Sequence, residues 1–334
     1  MIKLIAETAW HHEGDYDFMK NLVTSICEKS KADIVKLHIT LDLDEYMSKD
    51  HDAYETLKSW MLSAEKWTEL ISIVRKNNKE LMLLLNDTKA VDFARQFDPE
   101  FIEIHSVCLN VPRLQEAIQN QIDKKSKVVI GVGGCLTEEV DKSVNFFHDR
   151  ETILMFGFQN YPTKYADVNL SKIKKMQALY PNNSYGYADH TAWNEINNQI
   201  ITLIVSSNEM DYVEKHVSTV YGTERCDYSA AISIDQFNNL SEKIQIMSQL
   251  FGNGSMDLNE GEKSYSIYGP MKMAGLANQD LKKGSKLKLK DFDFCRTSQI
   301  TNLSQLALLD SVGKVLVEDV KFHTAIDINH INNN

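Results

Sequence analysis

Eight short apolar runs rich in β-branched residues recur along the chain and most constrain its fold. Between most of these runs, apolar residues recur at helical spacing, as at Ile196, Ile200 and Leu203. Near-continuous apolar strands that alternate with helices are typical of a parallel sheet buried on both faces. Eight such units over about 250 residues predict an α/β fold of the TIM (β/α)8 barrel type, with an open α/β sheet as the alternative. The predicted strands span residues 3–8, 33–39, 80–86, 101–106, 127–132, 153–159, 184–190 and 212–218.

The composition changes near residue 250, which suggests a second domain. Residues 251–257 read Phe-Gly-Asn-Gly-Ser-Met-Asp, a composition typical of linkers. A chain of 334 residues is long enough for a large barrel with an appended unit. We therefore predict a catalytic barrel over residues 1–252, a linker over 253–264 and a small domain over 265–334.

Charge and composition exclude several classes of partner. A formal net charge of −11 argues against binding to nucleic acid, whose phosphates require a basic surface. No apolar run approaches the roughly 20 residues of a membrane helix, and the first run turns polar at Glu7, too early for a secretion signal. The five cysteines form no CxxC pair, which fits a reducing compartment. We expect a cytoplasmic protein with small-molecule substrates.

Two histidines lie at the ends of the last two predicted strands. His190 stands in Tyr-Ala-Asp-His-Thr and His216 in Val-Glu-Lys-His-Val. A barrel enzyme places its functional groups at the carboxyl ends of its strands, and imidazoles there suit Mn²⁺, Zn²⁺ or Co²⁺. The alternative is that both histidines bond to neighbouring loops and serve only the fold.

Charged residues on three other strands form the second cluster of candidates. Glu7 and Lys36 lie on strands one and two, where they form either a buried pair or a catalytic layout, two readings that are compatible. His38 has the same parity as Lys36 and faces the same side. Glu103 and His105 share one parity on strand four. If the side they share is the barrel interior, they are an acid/base pair or additional metal ligands; the alternative is that Glu103 pairs with Lys36.

Several motifs stand in one order along nearly the whole chain. They read Glu-Thr-Ala-Trp-His-His-Glu-Gly from Glu7, Asp-Ile-Val-Lys-Leu-His from Asp33, and Gly-Tyr-Ala-Asp-His-Thr from Gly186. With Glu-Lys-His at 214–216, this succession resembles the sialic acid synthase family, whose members join phosphoenolpyruvate to an amino-sugar aldehyde. The stretches 277–284, 291–296 and 312–315 look like the antifreeze-like (SAF, β-clip) domain of that family.

The resemblance implies roles for individual residues. It implies that His190 and His216 bind a divalent metal, Mn²⁺ first, with Mg²⁺, Co²⁺ or Zn²⁺ as alternatives. It also implies that Glu7 contacts the reacting sugar carbon and that Lys36 holds the anionic donor. An arginine of the appended domain reaches the barrel of the partner subunit in this family, so a domain-swapped homodimer is expected. The substrate-binding residues expected on this basis are His38, Ser106, Gln159, Tyr161, Asp227 and Arg296.

The side of the site that would bind phosphoenolpyruvate departs from the family pattern. Glu103 replaces a lysine, which exchanges attraction for repulsion near a phosphate, and at about 4 Å each such charge contact is worth roughly 4 kcal/mol before screening. Gly131 and Ala188 are expected to make room for a larger group, and Cys108 stands where the family has a carboxylate. Only Ser106 and Lys36 are retained. The positions that differ around the donor are Asn86, Glu103, Gly131, Gln159 and Ala188.

Three functional hypotheses follow. The first is a metal-dependent transferase that condenses phosphoenolpyruvate with an amino-sugar aldehyde to a sialic-acid-like nonulosonic acid for surface glycans. Its catalytic candidates are Glu7, Lys36, Glu103 and His105. The second is an aldolase- or lyase-type reaction on a different donor, with Glu103 and His105 as acid and base. The third is a non-catalytic sugar-binding relative. A salt bridge between Lys36 and Glu103 would favour an altered donor site.

Overall fold

A computed structural model describes residues 2–157, 160 and 162–332. The chain divides after Phe251 into two compact units, Met1–Phe251 and Gly252–Asn334. The predicted residues Gln159 and Tyr161 lie outside the described residues.

The first unit is a closed barrel of eight parallel strands, which confirms the TIM barrel prediction. Each strand pairs with the next along the chain, and β1 also pairs with β8, so the sheet has no free edge. A ninth short strand extends from β8. The strands are β1 (Lys3–Glu7), β2 (Ile34–Ile39), β3 (Glu80–Leu85), β4 (Phe101–Ile104), β5 (Lys127–Gly131), β6 (Thr152–Phe156), β7 (Ser184–Asp189), β8 (Tyr212–Ser218) and β9 (Ile232–Ser233).

Helices follow the strands and cover the outside of the barrel. Side-chain caps fix several of their starts: Asp15 accepts from the backbone N–H of Phe18, and Asp87 accepts from that of Ala90. The helices of the first unit are α1 (Tyr16–Lys29), α2 (Leu43–Tyr46), α3 (Tyr54–Trp60), α4 (Ala64–Lys76), α5 (Thr88–Ala94), α6 (Pro112–Gln121), α7 (Thr137–Phe146), α8 (Tyr165–Val168), α9 (Leu170–Leu179), α10 (Asn198–Ser206) and α11 (Ile234–Phe251).

Alternation along the strands divides the side chains into two sets. Leu4, Val35 and Leu37 belong to the outer set, which packs against the helices. Ile5 and Phe101 belong to a separate apolar cluster that fills the inside of the barrel toward its amino-terminal end. On β1, β2, β4 and β8, the next inward residues toward the carboxyl ends are charged: Glu7, Lys36, Glu103 and Glu214. The fold therefore places polar side chains on an apolar floor.

The second unit has its own small core. Its strands β10 (Ala274–Ala277) and β11 (Phe292–Cys295) pair antiparallel. Two short helices, α12 (Glu260–Tyr265) and α13 (Gln305–Leu309), belong to it, and α12 lies largely within the predicted linker. Leu281, Leu287, Phe292 and Leu308 are among the residues of its core. Its assignment as an antifreeze-like domain stays a prediction.

Within the described residues, none of the helices is both long enough and apolar enough to cross a membrane.

One ion pair lies in the outer layer with no exposure to solvent. Lys215 Nζ lies 3.3 Å from Asp189 Oδ2, and both side chains are fully buried. Lys215 also donates to Asn198 Oδ1 at 2.9 Å, and Asp189 accepts from the backbone N–H and hydroxyl of Thr191. Burial raises the pKa of Asp189, but Lys215 and the hydrogen bonds outweigh it and hold that pKa below its ordinary value. Removing either Lys215 or Asp189 would therefore leave the other charge buried without its partner.

We expect Lys215→Met to destabilise the barrel by about 3–5 kcal/mol, because it leaves the Asp189 carboxylate buried without its cation. Urea unfolding followed by circular dichroism measures this change. The matched control is Lys31→Met, which removes the exposed pair with Glu242 and should change the midpoint far less. Equal effects of the two substitutions would contradict the prediction.

Candidate active site in the barrel mouth

Four ionisable side chains from four strands meet inside the barrel above the apolar floor. Glu7 ends β1, Lys36 lies in β2, Glu103 in β4 and Glu214 in β8; we call them the charged layer. All four are buried, with at most 5% of each residue exposed. Strand pairing brings them together, since Glu7 stands opposite both Lys36 on one side and His216 on the other.

Lys36 is the centre of the charged layer. Its Nζ lies 2.7 Å from Glu103 Oε2 and 3.4 Å from Glu7 Oε1. It donates to both carboxylate oxygens of Glu214, at 3.0 and 3.1 Å. One ammonium group is therefore in contact with three carboxyl groups.

The pKa values follow from this imbalance of one cation and three acids. Burial opposes the charged form of Lys36, but the three carboxyls outweigh it and raise its pKa well above the ordinary value. Burial also opposes ionisation of Glu7, but Lys36 and His216 lower its pKa well below the ordinary value. Burial raises the pKa of Glu103 despite the opposing effect of Lys36, and burial together with the charge of Glu7 raises that of Glu214 more strongly. Glu7 is therefore the most readily ionised of the three acids, and Glu214 retains a proton most readily.

Histidines that are buried or half-buried surround the charged layer. His38 lies in β2, His105 follows β4 and His190 follows β7, all on the carboxyl side of the barrel. Burial lowers the pKa of His38 and His190 to about 3 and that of His105 to about 4. These imidazoles are neutral at neutral pH, so they act as hydrogen-bond partners or metal ligands and not as cations.

The predicted metal-binding histidines are neighbours. The ring centroids of His190 and His216 are 4.9 Å apart, in an edge-to-face arrangement. His216 Nε2 lies 3.0 Å from Glu7 Oε2. Two buried imidazoles beside a carboxylate fit the donor preferences of Mn²⁺, Co²⁺ or Zn²⁺. The residues present thus suit a divalent ion.

The charged layer borders a cavity of about 190 Å³ that opens at the barrel mouth. Among the described residues that line it, Lys36 is the only lysine or arginine. A second, larger cavity of about 730 Å³ shares Tyr46 with it and is lined by residues of the long segment after β2, including Glu45 and His51. The site therefore combines a small inner space with a wider polar space.

Three of the four predicted substrate-binding residues that the structure describes line the inner cavity. Ser106, His38 and Asp227 line it. Asn86 lies beside it and donates to His38 Nε2 at 2.8 Å in the assigned orientation of its amide. Arg296 belongs to the second unit, where its guanidinium donates to the carbonyl of Pro270 at 2.6 and 3.0 Å.

Gly131 does not enlarge the cavity, contrary to the expectation from the sequence. A Cβ at this position would lie 2.9 Å from the backbone nitrogen of Ser106 and 3.2 Å from the carbonyl oxygen of Ile104. The space that glycine leaves is occupied by the chain that follows β4. Glycine is needed here for this close approach.

Two residues of the site were missed in the sequence. Glu214 has the parity of His216 on the same strand, so alternation alone would have placed it inside the barrel. His11 lies in the loop after β1, with its ring centroid 6.4 Å from that of His216. No periodic pattern in the sequence indicates the direction of a loop side chain, so the position of His11 in the site is visible only in the structure.

We expect Lys36→Met to destabilise the barrel by about 3–5 kcal/mol at neutral pH, because three buried carboxyls lose their shared cation. Without Lys36 their folded-state pKa values rise above those of the unfolded chain. An acid with a raised pKa stabilises the fold at low pH and loses that contribution as pH rises, so the deficit should shrink between about pH 8 and pH 5. Urea unfolding at several pH values measures it. The control is Lys3→Met, which removes the partly exposed pair with Glu80 and should cause a small change in stability that does not depend on pH. If the loss of stability in Lys36→Met grew on acidification, Lys36 would not be the cation shared by the three carboxyls.

Comparison with known proteins places this chain in a family. The model of the NeuB family matches residues 24–256. An uncharacterized protein of Methanocaldococcus jannaschii is 26% identical over 311 residues, which cover 92% of this chain and 88% of that protein.

Solved structures share the fold. A protein assigned to spore coat polysaccharide biosynthesis (protein E) in Chromobacterium violaceum superposes with a TM-score of 0.82 at 18% identity, over 99% of this chain and all of that one. The N-acetylneuraminic acid (sialic acid) synthetase of Leptospira borgpetersenii, in complex with citrate, superposes with a TM-score of 0.71 at 20% identity, over 79% of this chain and 89% of that one. At these identities the structural likeness concerns the fold alone. The family model, however, matches well over half of the chain and includes Lys36, Glu103, Glu214 and His216, so this protein belongs to the NeuB family.

Proposed function

We propose that this protein is a sugar-acid enzyme that makes or breaks a carbon–carbon bond at a sugar carbonyl, with a 2-keto acid such as pyruvate in place of phosphoenolpyruvate. The observation that carries this proposal is the 2.7 Å ion pair between Lys36 and Glu103 in the centre of the site. In this ion pair, the only lysine among the described residues of the cavity holds a side chain of the protein itself. Of the hypotheses drawn from the sequence, an altered donor fits this arrangement best.

The charge of the site disfavours a phosphorylated donor. Phosphoenolpyruvate carries a carboxylate and a phosphate, and Lys36 is already in contact with three carboxyl groups. At about 4 Å, a phosphate charge beside an ionised carboxylate costs roughly 4 kcal/mol at a surface-like dielectric. Burial lowers the pKa of His38, His105 and His190, so these three cavity histidines are neutral and do not offset this cost. A donor with a single carboxylate requires less positive charge.

The size of the two cavities suits this pair of substrates. The inner cavity of about 190 Å³ has room for a three-carbon keto acid beside Lys36. The wider cavity of about 730 Å³ is polar and adjoins it at Tyr46. We assign the sugar to the wider cavity, with its carbonyl carbon toward the charged layer.

The acids of the charged layer supply the proton transfers of an aldol reaction. Glu103, whose pKa is raised, takes a proton from C3 of the keto acid as the C–H bond breaks. C3 forms the new bond to the aldehyde carbon, and the aldehyde oxygen receives a proton from Glu214, whose pKa is raised further. Glu103 then returns its proton to Glu214 through the layer, so that no proton is gained or lost overall. Cleavage is the same sequence in reverse.

A divalent ion is part of the proposal, with His190 and His216 as residues that would hold it. When bound, such an ion polarises a carbonyl group of a substrate. The neutral state of His190 and the carboxylate of Glu7 beside His216 favour a cation at this place. Ser106 and His38, which line the inner cavity, are assigned to hydrogen bonds with the substrates.

Condensation of phosphoenolpyruvate with an amino-sugar aldehyde is the second candidate. Membership of the NeuB family favours it, as does the position of Ser106 and Lys36 on one cavity. It requires Glu103 to be protonated or displaced, so that Lys36 can bind the donor. The two candidate reactions differ in one product, because only the condensation of phosphoenolpyruvate releases phosphate.

The decisive assay compares donors on the full-length protein with Mn²⁺ and a panel of N-acetylmannosamine-like and diacetamido sugars. With pyruvate we expect a sugar acid, and deuterium exchange at the pyruvate methyl group in D₂O. With phosphoenolpyruvate we expect no phosphate release. Phosphate release accompanied by a sugar acid would instead establish the second candidate.

We further expect Glu103→Lys to shift the donor preference toward phosphoenolpyruvate. The substitution removes a carboxyl from Lys36 and adds a second cation, leaving two cations opposite Glu7 and Glu214. Isothermal titration calorimetry should show phosphoenolpyruvate binding at least 10-fold more tightly than to the wild type, a difference of about 1.4 kcal/mol. Glu103→Gln is the matched control, since it removes the negative charge without adding a positive one. Equal affinity of all three proteins would contradict this account of Glu103.

A further inference from the structure

Three side chains from different segments converge beside the charged layer. They are His11 in the loop after β1, His216 in β8, and Asp227 in the segment between β8 and β9. One potential ligand atom from each lies within 4.8 Å of those from the other two. This group shares His216 with the predicted histidine pair, but His11 and Asp227 are additional.

His11 is the most telling member of the group. Only 1% of it is exposed, and among the described residues neither of its ring nitrogens has a hydrogen-bond partner. A buried polar group left without a partner destabilises the fold. A neutral imidazole has one ring nitrogen with a lone pair that can bind a metal ion. A bound cation would satisfy it.

Hydrogen bonds hold the two loops in this arrangement. Arg225 Nε donates to the carbonyl oxygen of His11 at 2.7 Å, and the backbone N–H of Trp10 donates to Asp227 Oδ2 at 3.3 Å. Asp227 itself has a left-handed backbone, with φ of 63°. Left-handed residues other than glycine are uncommon and are often found at functional sites. His11 and Asp227 are thus positioned by contacts between the loops that follow β1 and β8.

The donor set is one that divalent transition metals use. Two imidazole nitrogens and one carboxylate oxygen bind such ions at about 2.0–2.2 Å, so ligands on opposite sides of an ion stand about 4 Å apart. The ligand atoms of the three side chains lie within 4.8 Å of one another, close to this spacing. Glu7, in contact with His216, adds negative charge nearby.

We propose that His11 and Asp227 bind, together with His216, the divalent ion of this site. The inference rests on the proposed function only in that it assumes an ion at His216. It gives Asp227 the role of a metal ligand in place of the contact with sugar hydroxyls expected from the sequence. It also explains why a histidine with two unsatisfied nitrogens is buried in a loop at the barrel mouth.

The test measures metal binding directly, without an activity assay. The full-length protein is stripped of metal and titrated with Co²⁺, and affinity, stoichiometry and the visible absorption spectrum are recorded. We expect one Co²⁺ per chain in the wild type. His11→Asn and Asp227→Asn should each weaken Co²⁺ binding at least 10-fold and change the spectrum. Circular dichroism and thermal melting establish that each variant is folded.

His12→Asn is the matched control. His12 is the next residue, is equally buried, and accepts from the backbone N–H of Gly14 through Nδ1, a bond that asparagine can also make. It should bind Co²⁺ like the wild type. Wild-type affinity and spectra in both His11→Asn and Asp227→Asn would overturn the inference, as would the absence of Co²⁺ binding by the wild type.

His190→Asn distinguishes this inference from the proposed function. If His190→Asn loses the ion while His11→Asn and Asp227→Asn keep it, the ligand set is the histidine pair, and the inference is wrong while the proposed function stands. Should His11→Asn fail to fold, His11→Cys gives a positive signal. A thiolate ligand at residue 11 adds a sulfur-to-Co²⁺ charge-transfer band in the near ultraviolet, and a folded, Co²⁺-bound variant without that band would also overturn the inference.

Discussion

The contact of one ammonium group with three carboxyl groups inside a closed barrel is the constraint on which the site depends. Taking an ion out of water costs several kcal/mol, so Lys36 is tolerated at 2% exposure only because its partners are fixed around it. The pairing of β1 with both β2 and β8 holds Glu7 in place, since Glu7 stands opposite Lys36 on one side and His216 on the other. Closure of the barrel thus determines the charge of the site as well as its shape.

Burial has a second consequence for the chemistry of the barrel mouth. It holds the imidazoles of His11, His38, His105 and His190 in their neutral form, with pKa values of about 3 to 4. A site with this many histidines therefore carries little positive charge. Its neutral rings are suited to a metal cation, and its excess of carboxyls disfavours a phosphate. The same desolvation accounts for both preferences.

The strands were predicted to within three residues at each end because a barrel buries both faces of its sheet, which gives continuous apolar runs. The contact of Lys36 with Glu103 was foreseen as one of two alternatives, since parity gives the face of a residue but not its partner. Gly131 was misread because the sequence does not show that the backbone of Ser106 fills the space beside it. His11 was not foreseen, because its position depends on hydrogen bonds between two loops distant in sequence, such as that from Arg225.

The cost of the charged layer is itself an argument for chemistry. Well-packed apolar residues in place of a buried ion cluster are often neutral or stabilising, by 1–4 kcal/mol in typical cases. The floor directly below, with Ile5, Phe101 and Val129, shows that this barrel readily fills its interior with such residues. A purely structural role would be served by a second apolar layer. Four ionisable groups with pKa values driven apart, beside neutral imidazoles and a cavity, are instead what proton transfer between two substrates requires.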